Sequence, residues 1–225
     1  MEAASPEPTT SAHGAAYAPE QSLLVASILS MSGGFLDAFT WLSLGGVFAN
    51  SQTGNFVFLG MYGTLGKWQD ATQHIPPIIA FLAGAWGAVR VRAPLSCLVG
   101  EIVLLATVML LLPRGLPGPL AIIGIAFGVA LQTASFRQVE RWNYLTVTVT
   151  GNMLRAVEQL TSTNDPEAAH GARTMLTVCL MFLLGAAVGG FATVHLAESS
   201  LVIPIALLMS VLWVCCRSRH RPYRS

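Results

Sequence analysis

A Thr-Gly-Asn tripeptide occurs twice in the chain, each time between strongly apolar stretches. The two copies are Thr53, Gly54 and Asn55, and Thr150, Gly151 and Asn152. Glycine permits backbone conformations that other residues avoid, so such a segment could break a helix. The exposed N–H and C=O groups of a broken helix bind ions or anionic groups. The alternative is that each tripeptide only caps a helix. Its repetition in matching contexts favours a substrate-binding role.

Each tripeptide follows an apolar, glycine-containing stretch with one polar side chain, Asp37 in the first half and Gln132 in the second. An ionisable group deep in a membrane span marks a functional site by default. We therefore expect Asp37 to bind substrate and to exchange protons in a transport cycle. The alternative is that Asp37 locks two helices together through hydrogen bonds. Gln132 can bind a polar substrate but cannot carry a proton.

Other residues in the apolar stretches are expected to have structural roles. Glu101 lies near the start of its span, where it could reach the interface or pair with Arg90 or Arg92. Small residues on one face of a helix allow close packing between helices. The glycines predicted to pack in this way are Gly33, Gly34, Gly45, Gly46, Gly84, Gly87, Gly185, Gly189 and Gly190.

The composition is that of a membrane protein. The chain is 53% hydrophobic and 10% charged, with a mean hydropathy of +0.61, whereas soluble domains have about 25% charged residues. The lipid bilayer is therefore its expected partner. Nucleic acid is not, because the basic cluster is confined to a short C-terminal tail. That cluster is Arg217, Arg219, Arg221 and Arg224.

The sequence carries no recognisable catalytic set, and we expect no enzymatic activity. Metalloprotease, nucleotide-binding and dinucleotide-binding motifs are absent. An intramembrane aspartyl protease needs a second buried aspartate, but Asp70 and Asp165 fall in predicted loops. The spacing of the four cysteines does not suggest zinc, so neither a metal nor a cofactor is expected.

Hydropathy predicts an all-α polytopic protein with one transmembrane domain over residues 21–217. A disordered tail (1–20) precedes this domain and a basic tail (218–225) follows it. A span needs about 20 apolar residues. The predicted spans are 22–44, 75–92, 95–113, 119–138, 172–196 and 199–217.

The spans divide into halves of about 22–113 and 119–217, each with one interrupted Thr-Gly-Asn segment. Period-two alternation over 145–150 predicts extended backbone before the second copy. The helix after it is amphipathic and should lie at the surface or against protein.

With a cytoplasmic C-terminus, six spans leave only Lys67 and Arg114 outside, which follows the positive-inside rule. The halves then form a 3+3 inverted repeat. Seven spans remain the alternative, if the first Thr-Gly-Asn segment also crosses.

The first half carries a more specific pattern. Ser32 to Ala38 (SGGFLDA) is followed by Leu44 to Asn50 (LGGVFAN) and then by the first Thr-Gly-Asn. This stretch resembles the YoaK family of bacterial membrane proteins, which is defined by a domain of unknown function. The resemblance covers about residues 20–217. It implies an inner-membrane protein of about six helices whose biochemical activity is not established.

Together these features predict a secondary transporter or permease for a small polar solute or ion, with proton coupling through Asp37. The second hypothesis is a non-transporting scaffold or regulatory protein. A transporter should be stabilised by its ligand, whereas a scaffold should co-purify with a partner.

Overall fold

The computed structural model describes residues 17–144, 148–161 and 166–219. Three predicted segments lie wholly or partly outside the described residues. They are most of the N-terminal tail, residues 145–147 of the alternating run and the last six residues of the basic tail. The described residues are almost entirely helical. The helices are α1 (Leu23–Ser43), α2 (Gln52–Thr64), α3 (Trp68–Thr72), α4 (Ile75–Val91), α5 (Pro94–Leu111), α6 (Gly118–Ser135), α7 (Val149–Thr161), α8 (Pro166–Leu196) and α9 (Val202–Arg219). Single 3-10 turns cover Pro19–Gln21, Leu112–Arg114 and Ala197–Leu201.

Local sequence sets where these helices begin and end. The Ser22 hydroxyl caps α1 by accepting a hydrogen bond from the Val25 N–H at 3.3 Å. Two glycines with positive φ, Gly45 and Gly46, follow the end of α1, so the prediction that they form a packing face of a helix is wrong. Pro94 is the first residue of α5, where its missing N–H leaves no helical bond unmade. The polypeptide therefore turns between apolar helices at residues suited to turning.

Five segments are long and apolar enough to cross a membrane, within the residues described. They are Leu23–Ser43, Trp68–Val91, Pro94–Arg114, Gly118–Ser135 and Pro166–Ser218. The last has 53 residues and contains both α8 and α9, separated by a 3-10 turn. The protein is thus an all-α polytopic membrane protein, as predicted. The helix predicted to begin at residue 172 begins instead at Pro166, because proline and Glu167 suit a first helical turn.

Each of the two closest helix pairs contains one helix from the first half of the chain and one from the second half. α1 packs chiefly against α8, and α6 chiefly against α4. A Cβ on Gly34 would strike the Phe182 carbonyl, and one on Gly84 would strike the Phe127 carbonyl. The predicted close packing at these glycines is confirmed. In both pairs the backbones approach at positions that only glycine allows.

Glycine contacts also give the direction of each pair. Met31 meets Gly185, and Phe35, four residues later, meets Gly189, four residues later on α8. α1 and α8 are therefore parallel. The contacts of Gly84 with Phe127 and of Gly87 with Leu131 make α4 and α6 parallel too. Between α5 and α6 the order reverses, because Gly100 meets Leu131 while Gly124 meets Val108.

Irregular segments follow α1 and α6, and both are partly buried. Residues 44–51 form the first loop, in which Val47 and Ala49 are buried. The second contains a short antiparallel hairpin, β1 (Gln138–Val139) with β2 (Trp142–Asn143). Each loop leads into a helix of 13 residues, α2 or α7.

The tripeptides themselves are helical. Thr53 to Asn55 and Thr150 to Asn152 occupy the second to fourth positions of α2 and α7. Each irregular segment therefore precedes its tripeptide and does not contain it. The extended backbone predicted over 145–150 is wrong for Val149 and Thr150, which start a helix. The α7 helix packs against α8, in agreement with its predicted amphipathic character.

Candidate functional site

The first Thr-Gly-Asn holds the preceding loop against α2 through Asn55. This side chain is completely buried. Its Oδ1 accepts a hydrogen bond from the Phe48 N–H at 3.0 Å, and its Nδ2 donates to the Phe48 carbonyl at 2.8 Å. Nδ2 also donates to Gln52 Oε1 at 2.9 Å. One amide thus satisfies both backbone groups of Phe48, which a buried loop could not leave unpaired.

Gly54 makes room for the same loop. A Cβ at this position would lie 2.7 Å from the Phe48 ring, closer than carbon atoms pack. That ring stacks on Trp41, with centroids 4.8 Å apart. Glycine is therefore needed at position 54 because the Phe48 ring packs closely against the backbone, and not because the backbone is left-handed there.

Asp37 fixes the loop to α1 from the other side. Its Oδ1 accepts a hydrogen bond from the Asn50 N–H at 2.7 Å, and its Oδ2 accepts one from the Ser51 hydroxyl at 2.5 Å. Asn50 in turn donates from Nδ2 to the Gly33 carbonyl at 2.9 Å. The carboxyl group is 4% exposed and ties the loop to the helix, which fits the structural alternative raised from the sequence.

The second Thr-Gly-Asn has a similar position in its own half. Asn152 is 1% exposed, and its N–H donates to the Thr148 carbonyl at 3.1 Å. A Cβ on Gly151 would lie 3.2 Å from Thr148 Cγ2. In both copies the asparagine is buried and the threonine is exposed.

Both tripeptides border one cavity of about 600 Å³. Residues 50–53 line it from the first half, and residues 148–150 line it from the second. Further polar groups come from Thr133 and Arg137, while parts of α4 and Phe182 of α8 supply apolar wall. The cavity therefore lies where the two halves of the chain meet.

The predicted site residues take different places around this cavity. Thr53 and Thr150 line it directly. Asn55 and Asn152 are buried in the helix starts, and Gly54 lies under the Phe48 ring. Gly151 packs beside Thr148.

Asp37 and Gln132 do not line the cavity. Asp37 lies behind Asn50 and Ser51, and it borders a smaller cavity of about 360 Å³ whose other walls are mainly apolar. Gln132 is buried, with Nε2 3.5 Å from the Leu29 carbonyl. The two side chains therefore hold elements in place around the site.

Sequence reasoning missed several residues that line the cavity, namely Asn50, Ser51, Gln52, Thr133 and Arg137. The first three directly precede a tripeptide, and Thr133 follows Gln132. Their polarity inside apolar surroundings was a usable signal for the first three. Arg137 could not be assigned in this way, because its position depends on where α6 ends.

A second cavity of about 700 Å³ adjoins the first through Arg137. It is lined by Glu20, Arg155 and Tyr144, among others. Burial raises the pKa of the Tyr144 phenol, so this hydroxyl stays neutral. The charged residues of this cavity include two cations and one anion, which gives it a mildly positive lining.

The prediction that Glu101 reaches the membrane interface or pairs with Arg90 or Arg92 is wrong. The side chain is completely buried, and neither carboxyl oxygen has a hydrogen-bond partner in the described part of the chain. Its Cγ lies 3.3 Å from the position of a Cβ on Gly128. Arg90 instead lies over the Trp86 ring, with its guanidinium carbon 4.9 Å from the centroid. The tight fit of α5 against α6 keeps Glu101 from the interface.

Among the described residues, no group of three or more His, Cys, Asp or Glu side chains could hold a metal ion. The cavity offers hydroxyls, amides, backbone N–H groups and one guanidinium. Such groups can bind and orient a polar molecule.

Fold and site together define a polytopic α-helical membrane protein with a polar cavity between its halves. A family model described as a protein of unknown function (DUF1275) matches residues 25–214, and the chain belongs to this family. No curated protein and no solved structure shows significant similarity to the chain.

Proposed function

We propose that the protein is a secondary transporter or permease for a small polar solute, which binds in the cavity between the two halves. The observation that carries this proposal is that both Thr-Gly-Asn segments border one cavity. Transporters built from repeats bind substrate at the repeat interface, beside interrupted helices.

The helix directions support six spans. If α2 does not cross the membrane, α8 is the fifth span and runs parallel to α1, the first. If α2 alone were added as a seventh span, α8 would run antiparallel to α1. The contacts of Met31 with Gly185 and of Phe35 with Gly189 require the parallel arrangement.

The same packing supports an inverted repeat. In this repeat α1 corresponds to α6, α2 to α7, α4 to α8 and α5 to α9. The pair of α1 with α8 then corresponds to the pair of α6 with α4. Gln132, near the end of α6, lies against Leu29, near the start of α1, so these equivalent helices run in opposite directions.

An inverted repeat places the two irregular segments at opposite membrane faces. Residues 44–51 leave the outer end of α1, and the segment after α6 leaves the inner end. Because residues 50–53 and 148–150 border one cavity, both segments must fold back toward the middle of the membrane. Buried polar backbone at this depth is tolerated where it lines a cavity.

The solute that fits best carries an acidic group. α2 and α7 both begin at the cavity, with Gln52 and Val149 as their first residues. Both helix starts carry a partial positive charge, although the Gln52 and Gly54 N–H groups of α2 already donate to the carbonyls of Asn50 and Ser51. Arg137 adds a full positive charge at the edge. A small polar anion would be bound from both halves of the chain.

Under this proposal the protein lies in the bacterial inner membrane with its C-terminus in the cytoplasm. The distribution of arginines supports this orientation through the positive-inside rule. The YoaK-like pattern supports the bacterial membrane.

Thermal stabilisation of the detergent-purified protein by a library of small anions and other polar metabolites tests the proposal. We expect ligands whose stabilisation is lost in both Thr53→Ala and Thr150→Ala. The matched control is Thr64→Ala, at the exposed far end of α2, where the hydroxyl bonds only the Met61 carbonyl at 2.8 Å. The ligands identified in this way should then be taken up by proteoliposomes that contain the protein.

Two results would overturn the proposal. Stabilisation by ligands that survives in both threonine variants would place the site elsewhere. No stabilisation across the library, together with co-purification of a protein partner, would favour a scaffold instead.

A further inference from the structure

Two buried carboxyl groups lie in the membrane-spanning helices, and their hydrogen-bond environments are opposite. Both oxygens of Asp37 accept hydrogen bonds, from the Asn50 N–H and from the Ser51 hydroxyl. Donors to both oxygens stabilise a carboxylate. The carboxylate form of Asp37 is therefore better stabilised than a carboxylate without donors, and the two bonds hold its loop.

Glu101 has no such donors. Its side chain is completely buried, and neither oxygen has a partner among the described residues. An ionised carboxylate in apolar surroundings without a partner is very costly, and such a group becomes neutral instead. In this conformation Glu101 must therefore carry a proton.

Other unpartnered polar atoms lie on the helices α1 and α6. Glu101 packs on Gly128, and Gln132 lies one turn further along the same face of α6. The Gln132 Oε1 has no partner in the described part of the chain, and neither has the hydroxyl of Ser32. Ser32 lies one turn beyond Leu29, whose carbonyl is 3.5 Å from Gln132 Nε2.

The charged groups of the neighbouring elements are engaged elsewhere. α6 has no ionisable side chain between Gly118 and Ser135. Arg90 of α4 and Arg217 of α9 lie over tryptophan rings. Arg114 donates to the Leu110 carbonyl at the end of α5. Glu198, in the turn before α9, is partly exposed.

Arg92, between α4 and α5, is exposed, and the other described ionisable groups nearby are three thiols. They are Cys97, Cys215 and Cys216, on α5 and α9. A neutral thiol does not compensate a carboxylate charge. The described surroundings therefore offer Glu101 no cation, and a proton is the simplest way to neutralise it.

We propose that Glu101 is a proton-binding site inside the membrane, and that it holds its proton under conditions in which Asp37 is ionised. Release leaves a carboxylate and passes the proton to water when movement of α5 against α6 hydrates the site. A role in transport coupling rests on the proposed function above, whereas the proton site itself does not.

Infrared spectroscopy of the purified full-length protein tests the site without a transport substrate. The spectrum of the wild type minus that of Glu101→Gln should contain the carbonyl stretching band of a protonated carboxylic acid, shifted in deuterium oxide. The difference for Asp37→Asn should contain carboxylate bands instead. Absence of the protonated-acid band from the Glu101 difference would overturn the proposal.

Labelling with dicyclohexylcarbodiimide, which attacks protonated carboxyl groups in apolar surroundings, gives a second measurement. Mass spectrometry should find the adduct on Glu101, decreasing as the pH is raised, with none on Asp37. Glu198→Gln is the control and should leave labelling unchanged. An adduct on Asp37 alone would contradict the assignment, and protection by sodium but not by choline would assign a metal cation instead.

These outcomes separate the two proposals. If Glu101 carries a proton but no ligand binds the cavity, the proton site stands and transport falls. If ligands bind the cavity and the protonated-acid band is missing, the transporter proposal stands and Glu101 is not its proton carrier.

Discussion

Asp37 ties α1 to the loop before α2, and Asp37→Asn tests this role at the scale of one residue. An amide nitrogen cannot accept a hydrogen bond, so either the Asn50 N–H or the Ser51 hydroxyl loses its acceptor. We expect the free energy of unfolding to fall by about 2 kcal/mol, measured by thermal denaturation in detergent. The control Asp70→Asn, on an exposed helix turn, should change it by less than about 0.5 kcal/mol. Equal stability of Asp37→Asn and wild type would mean that the two hydrogen bonds do not hold the loop.

Gly54→Ala tests the contact between the first tripeptide and its loop. The new methyl group would lie 2.7 Å from the Phe48 ring, so the ring must move from its stacked position on Trp41. We expect a loss of about 1–3 kcal/mol in stability and weaker ligand stabilisation. Gly60→Ala is the control in the same helix, because nothing lies within 4 Å of its added Cβ. It should be neutral or stabilise by up to about 1 kcal/mol. The same loss in both variants would mean that the Phe48 contact is not its cause.

At the scale of elements, the close pair of α1 with α8 depends on Gly185. A Cβ there would strike the Met31 carbonyl, which is backbone and cannot rotate away. We expect Gly185→Ala to lower the free energy of unfolding by about 3 kcal/mol and therefore to lower the melting temperature. Gly190→Ala lies in the same helix with open space at its Cβ and should melt like the wild type. Similar melting of both variants would mean that α1 and α8 are not closely packed at Gly185.

The elements also explain which parts of the site could be predicted. The tripeptides were visible because a polar motif repeats between apolar stretches, and Asp37 because a carboxyl group interrupts one. The cavity could not be predicted from the sequence. It forms between residues 50–53 and 148–150, which come together only because α1 packs on α8 and α4 packs on α6. Glu101 was misjudged for the same reason. Its distance from the end of α5 suggested access to the interface, and only packing on Gly128 removes that access.

At the scale of the whole molecule, the proposed six spans assign each loop to one side of the membrane. Single cysteines in a cysteine-free background, labelled on intact cells with a membrane-impermeant maleimide, test this. Lys67→Cys and Glu198→Cys should react from outside, whereas Arg155→Cys should react only after the cells are opened. Labelling of Arg155→Cys in intact cells would contradict the proposed topology.

The helical architecture was largely predictable because hydropathy reports the environment that each segment must satisfy. Apolar stretches of sufficient length predicted both ends of α1, α4, α5, α6 and α9 to within about three residues. The start of α8 was missed by six residues, because polar residues at Pro166 to His170 extend the helix beyond its apolar part. The direction and pairing of helices depend on glycine contacts between distant segments, which hydropathy does not contain.

The short length of α2 has a consequence for the surrounding lipid. Its 13 residues span about 20 Å at 1.5 Å per residue, whereas hydrocarbon is about 30 Å thick. Yet Phe56, Val57 and Leu65 are well exposed on this helix. Under six spans α2 does not cross the membrane but begins at the cavity between the halves, so lipid covers these side chains on one side of the bilayer midplane only. Along this flank the protein would therefore contact the outer leaflet more than the inner one, and its stability should depend chiefly on the acyl chains of that leaflet.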